Sequence, residues 1–352
     1  MAYKQLISEH SKTTLKKLAI GASLHRSGYG TNTKNQKAPS VVRMFPTIVI
    51  DVCGTGILGV VLLLFNVPTL MALLCSTLRV RYAVLAALLF ACALNGVQCL
   101  GHFATTVIVL LDPSSGNKSE NALSCMSNPA NLLDQFTFTA VPVMLMMVSI
   151  DRWLVFTYPL QYCHRMRKYV ATQIASAYIF TLLVQAISIA WTGLYNRRAG
   201  AVICAKANYM PTELYTLLVI IRVTAAALSI VFMLIVLFKL KLRVETTALF
   251  RTDSQLRTFM RRQRAYTSAM LISCGFTFVL FVVPTCVSLY GRFVYPDSFE
   301  LNQYTRFITF LNSLNMVVVI VARTSDIRRQ LARMFPCFPE RVLSIATTRH
   351  RH

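Results

Sequence analysis

Charge is scarce in this sequence, and negative charge scarcest. Of 352 residues, 14% are charged, with 13 Asp and Glu against 36 Lys and Arg. Soluble globular chains carry about a quarter charged residues, so a soluble domain is disfavoured from the outset. Paired cysteines at short zinc-site spacing are missing from the ten present, which removes the common structural metal frameworks. Period-two alternation is absent from the apolar runs, and a membrane β-barrel is thereby excluded. No segment places a His/Glu metal cluster or a nucleophile beside its base in an apolar run, so neither an enzyme nor any cofactor or metal is expected. Internal repeats and charges lined along a path are missing too, which counts against a transporter or channel. The first forty residues lack the continuous apolar stretch of a secretory signal, so an internal helix is expected to direct insertion.

What is abundant is apolar side chain, 55% of the chain. Seven apolar stretches fall at roughly 44–76, 82–111, 129–156, 169–195, 213–239, 265–291 and 302–322. Each approaches the ~20 residues that a helix needs to cross a bilayer. The first and fifth are the strongest, and the seventh is the weakest, interrupted by Arg306 and Asn312. The expectation is an all-α membrane protein, a seven-transmembrane helix bundle spanning 44–322. A basic, disordered tail over 1–43 precedes it, and a juxtamembrane segment with a cytoplasmic tail over 323–352 follows.

The net charge of +23 might suggest nucleic acid in a soluble protein, but here the basic residues lie between and beyond the apolar runs. Positive charge retained on the cytoplasmic side accounts for that distribution, and no nucleic-acid partner is expected. With the N-terminus outside, twenty-one Lys and Arg lie in cytoplasmic segments and six in external loops. The N-terminal tail carries eight more, including Lys34, Lys37 and Arg43, against the rule at helix one. The opposite orientation places only fourteen inside, so the N-terminus is expected outside and the C-terminus in the cytoplasm. A natural start at Met44 would remove the local conflict, and N-terminal mass data test that.

After the third stretch the chain reads Asp151-Arg152-Trp153 and continues to Pro159-Leu160-Gln161-Tyr162. This resembles the Asp-Arg-Tyr motif of rhodopsin-like (class A) G protein-coupled receptors, followed at the family's spacing by Pro-Leu-x-Tyr. A carboxylate beside an arginine at the membrane boundary restrains that arginine until the bundle opens toward a G protein. Trp153 stands where the family has tyrosine. Arg81-Tyr82, Pro142, Phe278 with Pro284, and Arg323-Thr-Ser-Asp-Ile327-Arg328 extend the likeness, which is most similar to teleost odorant receptors over about residues 50–335. The resemblance implies an odorant-like chemosensory receptor in the plasma membrane, with a heterotrimeric G protein and a small external ligand as partners. A non-olfactory amine, lipid or peptide receptor is the alternative within the class. It further implies a Cys125–Cys204 disulfide, which pins an external loop over the ligand cavity on the oxidising side. The chain departs from the family in several places. Met316 and Ile320 replace the Asn-Pro-x-x-Tyr motif, Cys92 (or Asn95 by a looser alignment) replaces the helix-two aspartate, and Val282 replaces the helix-six tryptophan. These changes remove the usual ion-linked lock and tyrosine switch, so weak, constitutive or altered signalling is expected.

Three ionisable residues fall well within the expected helices, away from their ends: Asp51, Asp134 and Arg222. Each should face the bundle interior or water, because a charge facing lipid at a helix centre costs ~2.5–3.5 kcal/mol. Asp134 lies where amine receptors of the class hold an ammonium. Three readings stand open: an Asp134–Arg222 structural pair, an amine bound by Asp134, or an anionic odorant bound by Arg222. Phe138, Val282 and Phe310 are the neighbouring pocket candidates and lack the tyrosine and tryptophan of an ammonium cage. Asn117-Lys118-Ser119 is a glycosylation sequon in the first external loop. Ser325–Phe335 has the pattern of a short amphipathic eighth helix, with Ile327, Leu331 and Met334 opposite Arg328, Arg329 and Arg333, and Cys337 beyond it is a palmitoylation candidate.

Overall fold

The computed structural model describes residues 41–75, 82–111, 120–195, 198–199, 210–246, 272–294, 299–323 and 325–334. Asn117, Cys204, Cys337, Arg79, Arg81, most of the tail over 1–43 and most of the basic stretch 239–264 lie outside them, as does the side chain of Asp51. Long helices dominate: α1 (Val41–Leu74), α2 (Ala83–Leu111), α3 (Pro129–Thr157), α4 (Pro159–Tyr195) and α5 (Thr212–Thr246). Next come α6 (272–294), α7 (Phe299–Arg323) and the ten-residue α8 (Ser325–Met334). Two two-residue strands, β1 (Glu120–Asn121) and β2 (Arg198–Ala199), pair antiparallel and tie the approach to α3 to the segment after α4.

Among the described residues, six helices are long and apolar enough to cross a membrane, α1 through α6. In α7 the stretch Phe307–Ala322 meets the same criterion only together with Ile327–Met334, across a bend of 95°. The protein is therefore an all-α, multi-pass membrane protein. Backbone amides unsatisfied in hydrocarbon cost several kcal/mol each, and continuous helices satisfy them internally. Large exposed apolar residues, among them Leu64, Leu183, Leu194, Leu234 and Val279, form the surface that lipid covers.

Burial divides the helices into centre and rim. About two thirds of the apolar windows of α2 and α3 are buried, but only 17% of that of α4. Helix α3 is the axle, with Ala140, Val143, Met144, Leu145 and Val148 at the middle of the main core. Asn128 caps its start by accepting from the Ala130 amide (3.0 Å), and Pro129 occupies the first turn, where no amide donor is needed. Helices α1 and α2 approach closely at Gly59 and Gly96, whose added Cβ atoms would each meet the other's carbonyl oxygen at 3.0–3.2 Å. Tyr178 on α4 donates to the Ala87 carbonyl of α2 (2.8 Å) and stacks on Phe136 of α3.

Several helices outrun their apolar stretches. Helix α4 begins at Pro159 rather than near 169, turning through a non-helical Arg165 (φ −115°, ψ 20°) before its apolar part. Helix α5 continues to Thr246, beyond the expected end near 239. Hydrophobicity marks where a helix lies in lipid, and turns carrying Lys and Arg beyond that zone leave no such mark. In α6 the chain widens into a π-turn at Phe278–Val282, where the Val283 amide donates to the Phe278 carbonyl. Pro284 follows at once; its ring cannot pack against the carbonyl four residues back in a regular helix, and the wider turn relieves that clash.

Candidate functional site

Two groups of residues stand out, at opposite ends of α3. The first is at its Thr157 end. Asp151 and Arg152 are almost wholly buried, at 1% and 2% exposure, and form an ion pair. The Tyr162 hydroxyl donates to the second Asp151 oxygen at 2.6 Å. Tyr162 is buried and stacks parallel to Tyr169, so the start of α4 holds the Asp151 carboxylate in place. Tyr162 belongs to the Pro-Leu-x-Tyr string, but its contact depends on α4 starting at Pro159, which hydropathy did not reveal. Trp153 points elsewhere. It packs edge-on to Tyr158 and against Phe232 of α5, with the Lys239 ammonium 5.6 Å from its ring centre. Lys239 also donates to Thr157 at 3.0 Å. Trp153 thus joins α3 to α5, a task for which its larger ring suits it better than a tyrosine. Pro159 is half-buried, while Leu160 stands 76% exposed.

Toward the other end, Arg222 of α5 lies between two phenyl rings, its guanidinium carbon 4.3 Å from the centroids of Phe138 on α3 and Phe281 on α6. Each such contact contributes about 0.5–2 kcal/mol, so the two offset much of the cost of a cation at this depth. Phe281 sits inside the π-turn of α6 and forms a small core with Val282, Ala226 and Ile230. Phe138 meets Tyr215 at 6.4 Å and packs against a cluster containing Cys125, Met126, Met210, Leu214 and Leu218. Asp134 is half-buried one turn along α3 from Phe138. Phe310 lies apart from this group, buried against Leu62 of α1 and Cys99 of α2. Of the pocket candidates, Phe138, Arg222 and Val282 are gathered around one place and Phe310 is on the other side of the bundle. Phe281 was missed by sequence reading: nothing in a row of apolar letters says which phenylalanine turns toward an arginine on another helix.

Cys125 is buried in the short helix Ala122–Ser127 and is disulfide-bonded, its partner lying outside the described residues. Asn131 of α3 donates to the Cys125 carbonyl at 2.8 Å, which fastens that short helix to the top of α3.

Between these two ends the helices are linked by neutral polar groups. Thr137 donates to Asn95 (3.4 Å), and Asn95 donates to Ser313 (3.5 Å), joining α3, α2 and α7. Thr277 of α6 donates to Asn312 of α7 (2.9 Å), and Asn315 reaches the Ser273 carbonyl (3.2 Å). Ser149 and Ser229 share a 2.7 Å hydrogen bond between α3 and α5. Bonds of this kind are worth about 0.6 kcal/mol on average within a membrane. Thr277→Val and Asn312→Leu are expected to lower the thermal midpoint of the purified protein slightly, with the double variant no worse than the worse single. Additive losses in thermal unfolding would show that the two residues are not coupled.

No known protein family's sequence model matches the chain, and no curated protein matches it.

Proposed function

We propose that the protein is a rhodopsin-like G protein-coupled receptor of the chemosensory, odorant-like kind. In this reading α1 to α7 are its seven spans, with the N-terminus outside the plasma membrane and the C-terminus in the cytoplasm. Helix α8 lies along the inner membrane surface. Its pattern supports that placement, with Ile327 buried, Leu331 and Met334 half-buried, and Arg329 and Arg333 exposed.

The observation that carries the proposal is the buried Asp151–Arg152 pair at the end of α3, held from α4 by Tyr162. Burying two charges is costly unless each is closely partnered, and an apolar pair of the same size would serve stability as well. A charge pair at the membrane boundary gains a purpose if the arginine is released when the bundle opens. The exposed Leu160, with Pro159 beside it, would then meet the heterotrimeric G protein. Small external ligands would enter toward Phe138, Arg222 and Val282, beneath the disulfide-bonded segment at Cys125, and shift the population toward the open state. The sequence resemblance at Asp151–Tyr162 supports the same class.

A cell assay of cAMP with a panel of amine and amino-acid odorants tests the proposal. Arg152→Ala is expected to remove basal and ligand-driven signal at equal surface expression. Signal that survives this substitution overturns the assignment of the coupling site.

A further inference from the structure

We infer that the start of α4 binds the headgroup of an inner-leaflet phosphoinositide through Arg165, Arg167 and Lys168, resting on the receptor reading only for the side of the membrane. All three side chains are exposed, and among the described residues none has an ion-pair or hydrogen-bond partner. No carboxylate is near in sequence either: from Arg152 to Thr212 the chain contains no Asp or Glu. Three cations within four positions repel one another, and an anion of several charges relieves that repulsion. A phosphate monoester carries about −1.5 to −2 near neutral pH. The phosphates of a phosphoinositide thus balance the whole group, where a singly charged headgroup balances one member of it. The two guanidinium forks also match phosphate oxygens in pairs, which a lysine cannot do.

The opposite face of the same turns is fixed to the bundle. Tyr162 is buried and bonded to Asp151 at 2.6 Å, Val170 is buried in the main core, and Met166 packs against that core. With these residues turned inward, the three cations are presented outward from a held helix. They stand at the end of the least buried of the apolar spans. Lipid is therefore the surface that α4 meets directly beyond them.

The shape of that surface continues the charge. Residues four apart lie one above the other on a helix, so Arg167 and Lys168 each head a row. Small exposed residues follow at four-residue steps, Ala171 and Ala175 in one row, Thr172 and Ser176 in the other. Ser176 turns its hydroxyl back to the Gln173 carbonyl (3.0 Å), so it adds little polarity to the surface. Ile179 and Phe180, both large and exposed, end the two rows. A shallow channel about 12 Å long therefore runs from the cations into the apolar zone. Orienting a helix requires only that positive charge lie at this end. That the cations also head a channel is what suits them to a lipid whose phosphates and acyl chains are joined.

The test counts lipids bound to the full chain, purified in detergent, by native mass spectrometry. The probes are phosphatidylinositol bisphosphate, phosphatidylserine, phosphatidylcholine and soluble inositol trisphosphate. Saturable binding of phosphatidylinositol bisphosphate is expected, with the other three at least about tenfold weaker. Arg165→Gln, Arg167→Gln and Lys168→Gln combined are expected to weaken that binding at least about tenfold. Arg329→Gln with Arg333→Gln on α8 should leave it largely unchanged. Ala175→Phe, which fills the channel without altering charge, should weaken it severalfold. Phosphatidylserine binding as tightly overturns the inference, because net charge alone would then suffice. Soluble inositol trisphosphate binding as tightly as the lipid overturns it too, since the channel would have no part. So does undiminished binding in the triple variant, or binding lost in the α8 pair instead. Should the triple variant not fold, Ala175→Phe decides, and unchanged binding there is fatal. Lipid selectivity alongside a failed cAMP assay would count against the receptor reading alone, and signalling without lipid selectivity against this inference alone.

Discussion

Asp151→Asn and Tyr162→Phe are expected to raise signalling in the absence of ligand, the first more than the second. Tyr162 donates one short hydrogen bond to the Asp151 carboxylate, and the phenylalanine deletes that bond with little change in shape. A hydrogen bond to a charged group contributes about 1.5–3 kcal/mol, which corresponds to roughly a 10- to 100-fold change in the balance of resting and open states. The full figure is reached only if the bond is lost entirely on opening. Asp151→Asn removes the charge that holds Arg152 as well. Breaking a buried ion pair from one side costs about 3–5 kcal/mol, so this variant should also reach the surface in smaller amounts. Basal cAMP normalised to surface expression measures both. Unchanged basal signal in both variants would mean that the buried pair is a structural fixture with no part in a switch.

The second large effect is expected where α1 meets α2. Gly59→Leu and Gly96→Leu should each leave little folded protein at the cell surface, and Gly59→Ala should lower the thermal midpoint measurably. A Cβ on Gly59 would lie 3.0 Å from the Gly96 carbonyl oxygen and 3.0 Å from Leu100, and one on Gly96 would lie 3.0 Å from Leu63. The neighbouring backbone has no rotamer into which it can retreat, so the two helices must move apart. Overpacking of this kind costs about 1–3 kcal/mol, and more where whole helices are displaced. Small residues matter here because without water the association of helices depends on close packing. Gly275 is the control: an added Cβ there meets nothing within 4 Å, so Gly275→Ala should fold as the wild type does or better. Equal losses for Gly59→Ala and Gly275→Ala would refute the close-approach argument.

These cases also mark what the sequence made legible. The apolar runs located the six helices that are long and apolar enough to span, because lipid imposes one requirement along the whole length of a helix. For α3 the expected 129–156 falls within one residue of Pro129–Thr157, where Asn128 and Pro129 mark the start. Motif spacing drew attention to Asp151 and Arg152, which the structure buries as a pair. What depends on helix rotation was hidden. Gln135 and Asp134 are adjacent letters, yet only the packed bundle distinguishes a fully buried side chain from a half-buried one. Phe310 and Phe281 looked alike until the structure turned one toward α1 and the other toward Arg222. The π-turn of α6 had a signal in Pro284, but a proline predicts a disturbance in a helix, not the form that the disturbance takes.

The layer that joins α2, α3, α6 and α7 consists of Asn95, Thr137, Ser313, Thr277, Asn312, Ser273 and Asn315, none of which carries a formal charge. A cell's electrical potential does work only on charge that moves through its field, about 2.3 kcal/mol for each elementary charge per 100 mV. Rearranging these amides and hydroxyls carries no net charge across the bilayer, so depolarisation has no grip on them. Voltage sensitivity carried by formal charge must come from side chains outside this layer, and among the described residues Asp134 and Arg222 are ionisable groups within the apolar spans.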